Sequence, residues 1–237
     1  MDFDVLENVG SEIKLVDFCE TFEGEFPFVG SFITMLRFAH CNLQCSWCDT
    51  DFSEAKVSVK LDQILESVTR TRNLMITGGE PGLHSSKIYT IISEILSTST
   101  YVDKITVQTN GLIFKSSLDK RLTKEFDFRD FYYVWSPKFI DVGTTKQSFL
   151  YLMTLKEYVN LRHVYIKLVY DPLTKGFLSQ FIDKVKELYG YEMLSKTAIM
   201  PLTSQEDKFG NYKETIEFCR EKNVNFSPRI HMLYDVK

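Results

Sequence analysis

Three clustered cysteines are the residues of this sequence with the clearest chemistry. Cys41, Cys45 and Cys48 lie within eight residues, in the stretch "HCNLQCSWCDT", with the spacing C-x3-C-x2-C. A structural zinc site needs a fourth ligand, normally from a second pair far along the chain, whereas Cys19 and Cys219 each stand alone. Three thiolates can instead hold a [4Fe-4S] cluster and leave one iron open for a small molecule. We therefore predict an iron–sulfur cluster on the three thiols, with zinc binding as the alternative.

The elements that must position these thiols follow from the hydrophobic pattern. Apolar and β-branched runs alternate with stretches of helical periodicity, which predicts a single α/β domain with a parallel sheet. The strands are predicted at Phe32–Phe38, Asn73–Thr77, Lys104–Thr109, Phe131–Trp135, Val164–Tyr170 and Thr197–Leu202. The helices are predicted near Leu61–Thr71, Ser85–Leu96, Ser117–Lys124, Lys146–Val159, Lys175–Tyr189 and Asn211–Lys222.

Polar or conformationally special residues follow every predicted strand. After the first strand come the cysteines, and the later strands are followed by "GGEP" (Gly78–Pro81), "TNG" (Thr109–Gly111), "SPK" (Ser136–Lys138), "DP" (Asp171–Pro172) and "PLTS" (Pro201–Ser204). In barrels and open parallel sheets the strand-to-helix loops converge on one face, where ligands bind. The sequence therefore predicts one shared pocket.

The "GGEP" stretch and Trp47 have functional and structural interpretations. Gly78 and Gly79 let the backbone approach a ligand closely, and Glu80 supplies a carboxylate for an ammonium group. Taken alone, "GGEP" could be a tight turn that leads into a helix. Trp47 either shields the cluster or packs in the interior. Cys19 and Cys219 are interpreted as small buried apolar residues.

The net charge, the hydrophobic pattern and the cysteine count exclude several classes of function. The net charge is −4, so no general basic field attracts phosphate backbones, and nucleic acid is not expected as a direct partner. No apolar run approaches the roughly 20 residues that span a bilayer. The odd number of cysteines suits a reducing compartment, and we predict a cytoplasmic protein without membrane contact.

The cysteine spacing resembles the signature of the radical S-adenosylmethionine (SAM) superfamily. That resemblance implies a partial (β/α)6 barrel over residues 1–237, with short N-terminal and C-terminal extensions. Four further stretches, "ETFEGEFPFVGSFITMLRFAHCNLQCSWCDT", "MITGGEP", "VWSPK" and "FSPRIHMLYDVK", resemble the 7-carboxy-7-deazaguanine synthase family. The family rearranges 6-carboxy-5,6,7,8-tetrahydropterin to 7-carboxy-7-deazaguanine and ammonia, on the route to queuosine.

The family resemblance implies specific site residues. Glu25, Arg37 and His231 are the implied catalytic residues, although Arg37 could be a structural ion-pair partner and His231 a packed core residue. The implied substrate-binding residues are Phe22, Glu23, Gly24, Glu25, Arg37, Thr77 and His231. The implied cofactor-binding residues are Trp47, Gly78, Gly79, Glu80, Pro81, Gln108, Ser136, Pro137, Lys138, Met200, Pro201, Leu202 and Thr203. Besides the three cysteines, the implied metal ligand is Thr50, for Mg²⁺.

Four positions depart from the family pattern. Glu23 stands in place of the usual Gln and Phe26 in place of the usual Gly, on the substrate side. Gln108 replaces a more common Glu, and Met200 replaces Gln in many members. The first two leave a modified substrate preference open, and the other two affect the expected SAM contacts.

The resemblance also implies a mechanism and partners. One electron from the reduced cluster would cleave SAM, and the resulting 5′-deoxyadenosyl radical would abstract hydrogen from C6 of the pterin. An electron donor such as flavodoxin or ferredoxin is implied, as is a homodimer. The alternatives are another radical SAM reaction, such as the activation of a glycyl-radical enzyme, and a non-enzymatic zinc module. Removing the chain from Ser227 onward is expected to spare the cluster and SAM sites.

Overall fold

The computed structural model describes residues 12–98, 101–113, 131–139, 151, 154–157, 163–204 and 207–234. The helix predicted at Ser117–Lys124 lies outside these residues. Most of the helix predicted at Lys146–Val159 also does, and residues 151 and 154–157 are helical.

Ten strands and five α-helices have both of their ends within the described part of the chain. The strands are β1 (Ile13–Leu15), β2 (Asp17–Phe22), β3 (Phe32–Phe38), β4 (Val57–Val59), β5 (Asn73–Gly78), β6 (Lys104–Thr109), β7 (Phe131–Trp135), β8 (Val164–Tyr170), β9 (Thr197–Pro201) and β10 (Asn225–Phe226). The helices are α1 (Leu61–Thr71), α2 (Ser85–Ser97), α3 (Lys175–Ser195), α4 (Tyr212–Lys222) and α5 (Ile230–Tyr234).

The main sheet has eight strands in the order β10-β9-β8-β7-β6-β5-β3-β2. All neighbouring pairs are parallel except β2 with β3, which is antiparallel. The six strands from β3 to β9 in this sheet are the six predicted ones, so the predicted parallel α/β fold is confirmed. The predicted extensions are β1 and β2 at one end of the chain and β10 with α5 at the other.

The pleat of β3 divides its side chains between two environments. Met35 and Arg37 line a cavity on one face of the sheet, whereas Leu36 and Phe38 belong to the main hydrophobic core on the other face. This alternation is the two-residue period of a strand. It explains how an apolar run can also carry a charged residue into a binding cavity.

Helix α1 shows how the helices cover the core face. Its buried residues include Ile64 and Val68, which recur at helical spacing and join the main core. The buried hydroxyl of Thr34 on β3 lies 2.8 Å from those of Ser67 and Thr71 on α1. These hydrogen bonds satisfy three polar groups that would otherwise destabilise the interior.

The predicted end of the fifth helix coincides with a break in α3. The prediction placed this end at Tyr189, and the next residue, Gly190, has a non-helical backbone with φ of 73°. Glycine adopts this conformation readily because it lacks a Cβ atom. A second helical stretch then continues to Ser195.

The two ends of the described chain meet beside the sheet. The Phe26 amide donates to the Ser227 hydroxyl at 2.9 Å, and the Ile230 amide donates to the Gly24 carbonyl at 3.0 Å. A Cβ atom at Gly24 would lie 2.5 Å from Nδ1 and 3.0 Å from the backbone nitrogen of His231, so any larger residue here would displace His231. Among the described helices, none is long and apolar enough to cross a membrane.

Candidate active site

A cavity of about 800 Å³ opens at the carboxyl ends of the parallel strands. It brings together most of the site residues predicted from the sequence. Those that line it are Phe22, Glu23, Gly24, Glu25, Arg37, Cys41, Cys45, Trp47, Cys48, Thr50, Thr77, Gly78, Gly79, Gln108, Ser136, Lys138, Met200, Leu202 and His231. The other predicted residues do not line the cavity and are Glu80, Pro81, Pro137, Pro201 and Thr203.

The three predicted cluster thiols lie on the loop after β3. The Cys48 amide donates to the Cys45 carbonyl at 3.1 Å. Two donors face the sulfur of Cys41, the Leu43 amide at 3.4 Å and the Asn110 side-chain amide at 3.9 Å. Burial raises the pKa of the Cys41 thiol. None of the five cysteines forms a disulfide, and among the described residues no group of three His, Cys, Asp or Glu is arranged to hold a metal ion.

The "GGEP" glycines are explained by backbone packing. A Cβ atom at Gly79 would lie 1.9 Å from the His40 carbonyl oxygen, and one at Gly78 would lie 2.4 Å from that of Phe38. The Gly79 amide donates to the Phe38 carbonyl at 3.0 Å, and the Glu80 amide donates to the His40 carbonyl at 2.9 Å. The two glycines therefore let this turn pack directly against the start of the cysteine loop, and their predicted SAM contact stays a prediction.

Glu80 is fully buried and hydrogen-bonded to the protein. Its carboxylate accepts from the Gly82 amide at 2.8 Å, the Thr109 hydroxyl at 2.6 Å and the Asn110 amide at 2.7 Å. Burial raises the pKa of Glu80, and these hydrogen bonds oppose the rise. The carboxylate thus joins the "GGEP" and "TNG" turns, and its predicted contact with an ammonium group stays a prediction.

Ser136, Lys138 and Trp47 form a second group on the cavity wall. The Lys138 ammonium donates to the Ser136 hydroxyl at 2.9 Å and lies 5.5 Å from the centre of the Trp47 ring. Burial, followed by the nearby charge of Lys167, lowers the pKa of Lys138. A ligand anion at this position would offset both effects, which suits the predicted cofactor contact.

Arg37 and Thr50 meet at the edge of the cysteine loop. An Arg37 Nη1–H donates to the Thr50 hydroxyl oxygen at 3.5 Å. That hydroxyl in turn donates to Oδ1 of Asp49 at 2.9 Å. The proton of Thr50 is thereby directed toward Asp49, which leaves the oxygen lone pairs for other partners.

A buried network of charges surrounds Glu25. Lys167 donates to its carboxylate and also to the Gln108 amide oxygen at 3.1 Å. The Arg229 guanidinium lies 3.4 Å and the His231 ring 3.6 Å from Oε1 of Glu25. Burial alone would raise the pKa of Glu25, but the charge of Lys167, with those of His231 and Arg229, holds it well below its ordinary value. Burial lowers the pKa of His231.

The pKa of Glu23 is shifted in the opposite direction from that of Glu25. It is 2% exposed, and its Oε1 atom has no hydrogen-bond partner among the described residues. Burial raises its pKa from 4.5 to about 7. Two carboxyl groups separated by one residue therefore differ in protonation near neutral pH, because Glu25 has the closer cations.

We expect Glu23→Gln to stabilise the protein above pH 7. Between pH 4.5 and about 7 the folded chain retains a proton that the unfolded chain has lost, so stability falls as the pH rises through this range. A neutral amide removes that penalty and should add about 3 kcal/mol at pH 8 and little at pH 4. Urea unfolding at both pH values measures the difference. Exposed Glu66→Gln is the matched control, and an unchanged pH slope in Glu23→Gln would contradict the argument.

Sequence reasoning missed three charged residues of this site, Asp49, Lys167 and Arg229. Lys167 carried a usable signal, because it is a charged residue inside the apolar run "VYIKLVY". Such a residue is rarely buried without a partner. Asp49 and Arg229 lie inside quoted motifs, but no pattern in the sequence indicates that they pair.

Comparisons with known proteins support the same interpretation. No family model matches the chain. Eight curated relatives that are 24% to 35% identical carry the name 7-carboxy-7-deazaguanine synthase. The relative from Hyperthermus butylicus is 24% identical over 249 residues, which cover 93% of this chain and 92% of that protein.

Two solved structures have a similar fold. QueE from Escherichia coli has a TM-score of 0.59 at 17% identity, with 98% of this chain and 100% of that chain covered. The structure titled "Native anSMEcpe with bound AdoMet and Kp18Cys peptide" has a TM-score of 0.59 at 15% identity, over 82% of this chain and 63% of that one. The parallel sheet, with its cysteine loop after the first parallel strand, therefore belongs to the same fold class as these two structures. Within that class, the curated relatives confirm the predicted resemblance to the 7-carboxy-7-deazaguanine synthase family.

Proposed function

We propose that this protein is a 7-carboxy-7-deazaguanine synthase, which converts 6-carboxy-5,6,7,8-tetrahydropterin to 7-carboxy-7-deazaguanine and ammonia. One observation carries the proposal furthest. A single cavity is lined by the three cysteines and also by Glu25 and His231, which come from the two ends of the described chain. The cysteine loop is common to radical SAM enzymes, whereas the two end segments carry the family resemblance.

The three thiols of this loop are the donor set that a [4Fe-4S] cluster with one open iron takes. The three sulfurs would ligate iron, and the N–H groups of Leu43 and Asn110 would stabilise the charge on the sulfur of Cys41, since hydrogen bonds to sulfur tune such clusters. With SAM bound, the cluster would supply one-electron reduction and hydrogen abstraction. Trp47, Ser136 and Lys138 would hold SAM beside it.

The chain's own side chains would bind and orient the pterin. The Arg37 guanidinium can meet a carboxylate with two parallel hydrogen bonds, which fixes the orientation of the ligand as well as its affinity. Glu25 stays ionised because Lys167 and Arg229 surround it. The ring of His231 can accept or donate a proton at the same end of the cavity.

We expect Thr50→Ala to weaken the dependence of turnover on Mg²⁺. The Thr50 oxygen has its proton directed to Asp49, so it can offer a lone pair to a hard cation shared with the substrate carboxylate. Turnover measured against Mg²⁺ concentration should rise less in Thr50→Ala than in the wild type, while Thr50→Ser should stay close to the wild type. Equal activity of the wild type in chelator and in millimolar Mg²⁺ would remove Thr50 from this role.

Several further properties belong to the same proposal. The chain would work as one domain over residues 1–237 in the cytoplasm, as a homodimer, with flavodoxin or ferredoxin as electron donor. Its product would supply queuosine or a related deazapurine. No nucleic acid or membrane would take part directly.

Anaerobic reconstitution tests the proposed function. Protein loaded with iron and sulfide is incubated with SAM, Mg²⁺, dithionite and 6-carboxytetrahydropterin, and the products are identified by mass spectrometry. The proposal expects 7-carboxy-7-deazaguanine in amounts that depend on SAM. Cleavage of SAM without this product would indicate another radical SAM reaction, and a colourless zinc-loaded protein would indicate the non-enzymatic alternative.

A further inference from the structure

Arg229 joins three separate segments around the cavity. Its side chain is 5% exposed and contacts Glu25 in the N-terminal segment, Asp49 in the cysteine loop and Thr203 after β9. The contact with Oε1 of Glu25 is 3.4 Å, and the Thr203 hydroxyl and carbonyl oxygens accept from Nη1 at 2.7 and 3.3 Å. A planar guanidinium held at several points fixes the groups around it.

Asp49 is the part of this arrangement that touches the cysteine loop. One of its oxygens accepts from Nη2 of Arg229 and the other from the Thr50 hydroxyl. The Thr50 oxygen also accepts from Arg37. Hydrogen bonds therefore run without a break from the C-terminal segment, through the residue that follows Cys48, to the arginine on β3.

We propose that the ion pair between Arg229 and Asp49 clamps the cysteine loop to the C-terminal segment and neutralises the carboxylate beside Cys48. Arg229 acts through Asp49 and is a positioning residue. The inference rests on the proposed function only in taking Cys48 as a cluster ligand. It reverses the expectation that removal of the chain from Ser227 onward spares the cluster site, since that change also removes Arg229.

Substitutions of Arg229 and of Asp49 should shift the midpoint potential of the cluster in opposite directions. Arg229→Gln leaves the Asp49 carboxylate unpaired, and a negative charge next to the cluster makes its reduction harder. Asp49→Asn leaves the Arg229 cation less balanced and makes reduction easier. A residue that only supports the fold would shift both variants in the same direction or in neither.

The test is a redox titration of reconstituted protein followed by electron paramagnetic resonance, without any pterin. We expect the midpoint potential to fall in Arg229→Gln, to rise in Asp49→Asn and to return toward the wild-type value in the double variant. Lys222→Gln is the matched control, because it breaks an ion pair with Asp183 at 3.0 Å on the outer surface. This variant should leave the midpoint potential unchanged. Shifts of the same sign in both single variants, or no shift in either, would overturn the proposal.

Two further measurements keep the proposal testable. If Arg229→Gln does not accumulate as folded protein, Arg229→Lys replaces it in the test. Arg229→Lys retains the positive charge, so its midpoint potential should stay near the wild-type value. An unchanged midpoint potential in Asp49→Asn would refute the clamp by itself. In cluster-free protein, the unfolding free energies of the wild type, the two single variants and the double variant should be non-additive, and additivity would also refute it. Neither measurement requires turnover. A wild-type protein that does not convert the pterin would therefore contradict the proposed function without contradicting the proposed clamp.

Discussion

Cys45→Ala should remove the brown colour of the reconstituted protein and abolish SAM cleavage. Three thiols are the full set of protein ligands for a cluster with one open iron, so no other cysteine of the loop can replace the missing one. Iron and sulfide analysis, the visible absorption spectrum and the release of 5′-deoxyadenosine measure the loss. Cys41→Ala and Cys48→Ala should behave in the same way.

The two cysteines outside the loop are the matched controls for that experiment. Cys19 lies on β2, and Cys219 is buried in α4, where its thiol donates to the Asn225 carbonyl at 3.4 Å. Cys19→Ala and Cys219→Ala should keep the colour and the SAM cleavage, with at most a loss of stability at Cys219. Full cluster occupancy in Cys45→Ala would contradict the assignment of the loop.

Arg37→Ala should cost the enzyme on the order of 2 to 5 kcal/mol in substrate binding or transition-state stabilisation, because a buried carboxylate loses its charged partner. This corresponds to a fall of about 30- to 4,000-fold in kcat/KM. Arg37 lines the cavity on β3, opposite Thr77 in the strand register. Steady-state assays with 6-carboxytetrahydropterin measure the change.

The comparison of coupled and uncoupled SAM cleavage makes the Arg37 result specific. Without pterin, Arg37→Ala should cleave SAM at nearly the wild-type rate, since the thiols and the Lys138 group are untouched. Arg70→Ala is the control arginine, because Arg70 pairs with Glu20 and Glu66 on the surface. Unaltered product formation in Arg37→Ala would mean that the substrate carboxylate binds elsewhere in the cavity.

The parallel core could be predicted from the sequence because its signals are local. Each of its strands is a run of apolar and β-branched residues, so strands such as Val164–Tyr170 were predicted with the observed bounds. The edge strand β2 was not among the six predicted strands, since "DFCETF" has no clean alternation of apolar and polar residues. Its pairing with β3 depends on the fold and not on its own composition.

The site was predictable in its residues more than in its contacts. Short motifs identified the cavity-lining residues because the loops after parallel strands converge on one face. The motifs gave no information on pairing across the chain, and Asp49 and Arg229 are 180 positions apart. The "GGEP" glycines likewise needed the structure, since the carbonyl groups that exclude a Cβ atom belong to the preceding strand and loop.

The contacts that join the two end segments have a consequence for the order in which the protein assembles. The hydrogen bond from Phe26 to Ser227 spans 201 positions, and the entropy lost in closing so long a loop exceeds that of a 20-residue loop by about 2 kcal/mol. The parallel strands join neighbours along the chain and close shorter loops first. We therefore expect the contacts between the two end segments to form last during folding and to open first in local fluctuations. Substrate exchange and local unfolding would then both require the contacts between the two end segments to open. The lifetime of a bound pterin would therefore depend on how slowly these contacts open.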